Sequence, residues 1–389
     1  MTPRYSRVRS EDNGFGIVEL LISTTLLLVV IGTAFRVLNP AEGAFRVEPE
    51  ATDVQQRLRV ATDAITDALD AAGAGPTQGY QVEPLIDLLA PVLPFRQGRR
   101  NPDPVGVFRP DVVTIVSAAR GAAQSTIAQA LPAASGPVQV NVDPGCPQGD
   151  PLCGFRAGMD VMVFDDTGAY DTFTISSVQG TVLNLQHNLV DTARVYPANT
   201  SRMIEVENKT LFLRTDVANN MLQLARYDGA AGADVPVVDH LAALTFAYFG
   251  DPRPPTMLKP QLDPVGPWTT YGPKPPASGD NCVFAAGVPL PVSRLPVLGS
   301  GAPGLVPLGA ADLTDGPWCP SDTDPNRFDA DLLRVRSILV TVRAEASSTS
   351  LRGPASQLFT RGGTATGQRF VPDREVSFTI APRNVNLRR

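Results

Sequence analysis

The sequence predicts an α+β protein: a long amino-terminal helix, apolar first and amphipathic later, packed on an antiparallel β-sheet domain that carries a Pro/Gly-rich insertion. Three observations predict it. Residues 15–35 form an almost unbroken apolar run. From Val54 to Ala72, apolar residues recur at steps of four and three, the spacing of one helix face. Beyond residue 104 the pattern turns to short segments rich in Val, Ile, Phe and Thr, bounded by turn residues.

As a helix, the first run reaches about 31 Å at 1.5 Å per residue, close to the thickness of a hydrocarbon core. A transmembrane helix is therefore expected over residues 15–37. Arg4, Arg7 and Arg9 precede it and would hold the short leader on the cytoplasmic side while the rest crosses. Glu19 lies inside the run, where a lone carboxylate opposes insertion. An ordinary signal peptide, cut after Gly32-Thr33-Ala34, would leave that glutamate without a purpose.

Asn39, Pro40 and Gly43 then predict a kink or a melted turn, and Pro49-Glu50 a new helix start. An amphipathic helix over 47–75 follows. Val54, Leu58, Ala61, Ile65, Leu69 and Ala72 form its apolar face, and Gln56, Arg59, Asp63, Asp67 and Asp70 lie elsewhere on the wheel. Gly73, Gly75 and Pro76 end it.

Residues 76–389 are expected to form the β-rich domain. Residues 111–119 predict a first strand, and 159–187 three strands turning at Asp165 to Gly168 and near Gly180. Residues 209–229 predict a hairpin about Asn219 and Asn220. Further strands are expected in 238–251, 331–346 and 375–389. Residues 250–327 hold 17 of the 37 prolines, which leaves no room for a long strand. They predict an irregular surface insertion, held by Cys282 with Cys319 and by packing of Trp268 and Trp318.

Composition and motif searches narrow the chemistry. Thirty-three basic and 39 acidic residues give a net charge of −6, and no basic block offers nucleic acid a footprint. The four cysteines fall in two sequence-local pairs without a C-x-x-C spacing. Disulfides Cys146 with Cys153 and Cys282 with Cys319 suit an exported chain, the alternative being four buried thiols. His187 and His240 are the only histidines; each is expected to pack at a strand end, and neither accompanies a G-x-S-x-G or phosphate-loop motif. Asp322, Asp324 and Asn326 alternate as in a calcium loop, but Arg327 stands at the glycine position and Leu333 at the closing glutamate position. No metal site, no cofactor and no catalytic residue is therefore expected.

Gly14, Phe15 and Glu19, followed by the apolar run, resemble the type IV prepilin signature: a leader ending in glycine, then phenylalanine, then glutamate at the fifth mature position. Residues 58–75, the strand closing on an aromatic-Gly pair at 249–250, the arginine-flanked valine-rich strand and the closing "PRNVNLR" are similar, in that order, to PilW-like minor pilins and the J-type minor pseudopilin of type II secretion. The resemblance implies that a prepilin peptidase removes leader 1–14, cutting between Gly14 and Phe15 and N-methylating Phe15. It also implies that Glu19 pairs with the amine of a neighbouring subunit during assembly, with its own helix start as the alternative partner. The implied protein is a minor pilin, not an enzyme, held in the inner membrane by one span with its domain in the periplasm and then built into a filament with other minor and major pilins. The alternative from a different class is a soluble periplasmic binding protein or enzyme released after Ala34.

Overall fold

The computed structural model describes residues 16–75, 85, 89–94, 109–118, 121–132, 135–165, 170–187, 195–228, 234–255, 282–285, 292–299, 304–319, 322, 327–352 and 371–386, the side chains of 36–46, 135 and 187 excepted. Among them the chain forms one long amino-terminal helix and a mostly β domain in which every strand pair is antiparallel.

Helix α1 (Ile17–Asp70) is 54 residues long. Its backbone stays helical through Asn39, Pro40 and Gly43, so the predicted melted turn does not occur and the two expected helices are one element. A proline removes one donor from the ladder and costs about 3 kcal/mol. The turns on either side keep their own bonds, and the outer half is fixed by packing. Val54, Leu58, Ala61, Ile65, Leu69 and Ala72, the predicted face, are all buried. The helix stops at Ala71, and Gly73 turns the chain at φ 75°. A Cβ there would also press on Pro91 at 3.3 Å.

Strands β1 (Val92–Pro94) and β2 (Val112–Ser117) begin the central sheet. The chain then leaves it for a second lobe. Strands β3 (Gln124–Thr126), β4 (Leu131–Pro132), β5 (Ser135–Val138), β6 (Asp160–Phe164), β7 (Tyr170–Gln179), β8 (Val182–His187), β9 (Val195–Tyr196) and β10 (Arg202–Glu205) follow. Six of them hydrogen-bond in the order β3-β10-β6-β7-β8-β5. The two ends of that sheet also meet, because Ala128 N donates to Gln139 O (2.7 Å) and Asn141 N to Thr126 O (2.9 Å). The result is a small closed barrel filled by its own side chains, among them Ile127, Val140, Phe155, Phe173, Ile175 and Leu185. Strand β6 is buried on both faces: Val161 and Val163 point into the barrel, Met162 and Phe164 into the main core.

The chain returns through β11 (Glu207–Asp216), which pairs with β2 and forms the predicted hairpin with β12 (Met221–Tyr227), where Asn220 adopts φ 48°. Strand β13 (Val235–Asp239) completes the five-stranded sheet β1-β2-β11-β12-β13. Strand β14 (Leu241–Gly250) starts a second main sheet.

The insertion holds only short elements among the described residues: β15 (Phe284–Ala285), β16 (Val292–Ser293), β17 (Val306–Leu308), α2 (Ala310–Leu313), β18 (Trp318–Cys319) and β19 (Phe328–Asp329). Strands β20 (Val335–Ala344) and β21 (Arg374–Ile380) finish the sheet in the order β17-β14-β20-β21. Helix α1 packs against β13, β20 and β21, so its apolar stripe closes one core shared by both main sheets.

Both expected disulfides are formed, Cys146–Cys153 in the barrel lobe and Cys282–Cys319 across the insertion. Trp318 packs under the Arg327 guanidinium at 4.7 Å, whereas Trp268 lies outside the described residues. A further anchor comes from the arginine-flanked strand. Arg334 is fully buried and donates to the carbonyls of Pro252 (3.0 Å) and Pro296 (2.5 Å), tying the insertion to the sheet.

Candidate functional site: the amino-terminal helix

Among the described residues, nothing packs on the first part of α1. Ile17–Phe35, 19 residues, is long and apolar enough to cross a membrane, and none of it is buried in the protein. At 1.5 Å per residue it measures about 29 Å. Its three threonines bond back within the helix: the Thr24 hydroxyl donates to Leu20 O (2.9 Å), that of Thr25 to Leu21 O (2.8 Å) and that of Thr33 to Val30 O (2.8 Å). A helix whose hydroxyls bond back to its own carbonyls leaves few groups in need of water.

Glu19 occupies the third position of the helix. Its Oε2 accepts from the backbone N–H of Gly16 at 3.2 Å, one of the donors that every helix start leaves unpaired. The carboxylate thus sits at the positive end of the helix dipole. Gly14 and Phe15 lie outside the described residues.

Where the helix reaches the domain, a polar grip supplements the stripe. Glu50 accepts from the Ser347 backbone N–H, from the Ser347 hydroxyl at 2.6 Å and from the Ser348 N–H at 3.3 Å. Partial burial pushes the Glu50 carboxyl up, but these bonds, with Arg57 nearby, outweigh it and hold the group below its ordinary range. Arg57 pairs with Asp53 on its own helix and donates to Glu345 O at 3.3 Å. At the far end, the Asn384 amide reaches the unpaired carbonyls of Asp70 (3.5 Å) and Ala72 (3.4 Å). Asn386 donates to Arg336 O and Pro382 O. The closing "RNVN" segment therefore covers the end of the helix, a role that sequence did not reveal. Its signal was two asparagines flanking the apolar Val385.

The remaining candidates do not join this site. His187 ends β8, while His240 contacts Arg352 beside the helix grip. Asp324 and Asn326 lie outside the described residues; Asp315, Asp329 and Asp331 instead bring ligand oxygens within 4.8 Å of one another. That cluster already has a cation, since Arg334 Nε lies 2.5 Å from Asp331 Oδ1. Burial pushes the Asp329 carboxyl up to about 6, against hydrogen bonds from the Asp331 and Gly316 N–H groups. A cavity of about 360 Å³ opens between the helix end and the barrel; among the described residues lining it the one ionisable group is Glu205, which accepts from Ala123 N.

Compared with models of protein families, with curated proteins and with solved structures, the chain matches none.

Proposed function

We propose that the chain is a minor subunit of a type IV pilus or a related pseudopilus, made as a prepilin and built into the filament through its amino-terminal helix. One observation carries the reading: the bare 19-residue apolar helix, with Glu19 as its single charge, continues without a break into a stripe buried against the β domain. An apolar rod of this length cannot stay in water, and both a bilayer and a bundle of like helices would cover it. The same helix then serves as membrane anchor before assembly and as filament core after it, with prepilin peptidase and other pilins as partners. The inserted lobe and the insertion at 250–327 make a bulky head, which suits a tip position better than every lattice position. In this reading the chain assembles and catalyses nothing.

Glu19 has two partners in prospect. In the isolated chain it caps its own helix start at Gly16; removal of residues 1–14 would place an ammonium on Phe15, next to that cap. Joining a filament would exchange the local cap for the amine of a neighbour, neutralising both charges in an apolar setting.

Mass spectrometry of the mature amino terminus tests the proposal. An N-methylated Phe15 is expected. A chain starting at Phe35 would overturn it in favour of a soluble periplasmic binding protein or enzyme.

A further inference from the structure

The grip between α1 and the domain contains a histidine in an unusual position. His240, between β13 and β14, has φ 57°, and its Nδ1 lies 2.8 Å from Nη2 of Arg352. A guanidinium can only donate, so Nδ1 must be the acceptor and the ring must be neutral, with its proton on Nε2. Arg352 is itself the keystone of the 345–352 turn. It pairs with buried Glu345 (Nη1 to Oε1, 2.7 Å) and donates to the carbonyls of Ala346 and Ser347. The same turn presents Ser347 and Ser348 to Glu50, and its Glu345 carbonyl to Arg57.

We propose that the His240–Arg352 contact is a pH-sensitive latch, which keeps the outer half of α1 seated on the sheet at neutral pH and loosens it in mild acid. A proton on Nδ1 sets N–H against N–H and cation against cation. Arg352 must then move, and the turn that grips Glu50 and Arg57 moves with it. The charged groups around the imidazole are Glu50 and Arg57 from α1, Asp239 from β13, Glu345 at the end of β20, and Arg352. Behind them Arg343 of β20 faces Asp373 at 4.0 Å. Partial burial, then Arg57 and Arg352, hold the imidazole below its ordinary value; Asp239 and Glu50 pull the other way and lose.

The sign follows from linkage. A histidine held low in the closed state binds its proton more tightly once the latch opens, so closure weakens as pH falls below the ordinary histidine value of about 6.5. Burial raises Glu345 and Asp373, which therefore act on global stability with the opposite sign. A local readout is needed for that reason, and the latch does not depend on the filament reading.

Hydrogen–deuterium exchange of the full chain in detergent micelles, at about pH 7.5 and about pH 5.5, supplies that readout. Wild type is compared with His240→Asn at the same pH, which cancels the intrinsic pH dependence of exchange. Asparagine keeps an acceptor oxygen where Nδ1 stands and tolerates the left-handed backbone. In acid, peptides covering 47–57 and 345–352 should exchange several-fold faster in wild type than in His240→Asn, with no difference at neutral pH. His187→Asn should behave as wild type. Equal exchange of wild type and His240→Asn in acid would overturn the latch. Should His240→Asn fold poorly, ring-nitrogen NMR of the wild type decides. A His240 ring that is neutral with Nε2 protonated, and whose titration coincides with loosening of 47–57, supports the proposal; a ring that titrates without any change there sinks it.

Discussion

Glu19 and Gly250 show how much rests on single atoms. The Glu19 carboxylate meets its own helix at Gly16 and is otherwise exposed, so it contributes nothing to the packing of the domain. Glu19→Ala is expected to leave the thermal midpoint of the domain unchanged and, on the proposed filament reading, sharply to reduce recovery of the chain in sheared filaments; undiminished recovery would remove the carboxylate from assembly. Gly250 ends β14 against the backbone of Arg334, where a Cβ would fall 2.7 Å from the Arg334 carbonyl oxygen and 2.7 Å from Leu308 Cδ1. Backbone cannot yield as a flexible side chain can. Gly250→Ala should destabilise the domain by about 1–3 kcal/mol in urea titrations through overpacking alone.

Among elements, the helix stripe is where truncation is felt most. Ile65 is fully buried at the middle of the face that closes the shared core, and Ile65→Ala should cost about 2–5 kcal/mol, measured by chemical denaturation. The two disulfides differ by loop length. By loop-closure entropy, removing Cys282–Cys319, which spans 37 residues, should cost about 4 kcal/mol, against about 2 kcal/mol for Cys146–Cys153, which spans 7. The stripe was legible because a 3.6-residue period survives in sequence whatever the helix packs on, and the β11–β12 hairpin because Asn219 and Asn220 encode their own turn. Helix continuity through Pro40 was not legible, since Asn39, Pro40 and Gly43 each disfavour a helix locally and nothing in that stretch of sequence signals the opposite. The barrel was hidden for a related reason. Its closure joins 126–128 to 139–141 and β3 to β10, and such long-range pairing leaves no local pattern. A hint existed in β6, whose uninterrupted apolar "VMVF" is what a strand buried on both faces requires.

Taken as a whole, the domain stores electrostatic tension where the insertion meets the sheet. Asp329, raised to about 6, holds its proton more tightly folded than unfolded, so its contribution favours the folded state in acid and fades as pH rises from about 4 through 6. Asp329→Asn keeps an acceptor for only one of the two N–H groups, Gly316 on Oδ2 or Asp331 on Oδ1, and so lowers stability at every pH, but it removes the titrating carboxyl and should flatten that part of the stability–pH curve; an unaltered slope would exclude this carboxyl as its origin. The amino-terminal site was only partly legible: Glu19 could be named, but not its contact with Gly16, nor the serine pair that seats Glu50 from almost 300 positions away.

The stripe also decides how the molecule answers force. Its contacts run along the helix axis from Val47 to Ala72, about 38 Å of interlocked side chains. Traction on the head along that axis cannot peel them one at a time. It must slide the whole seam at once, in shear, so tension between the bare end of the helix and the β domain meets the joint in its toughest direction.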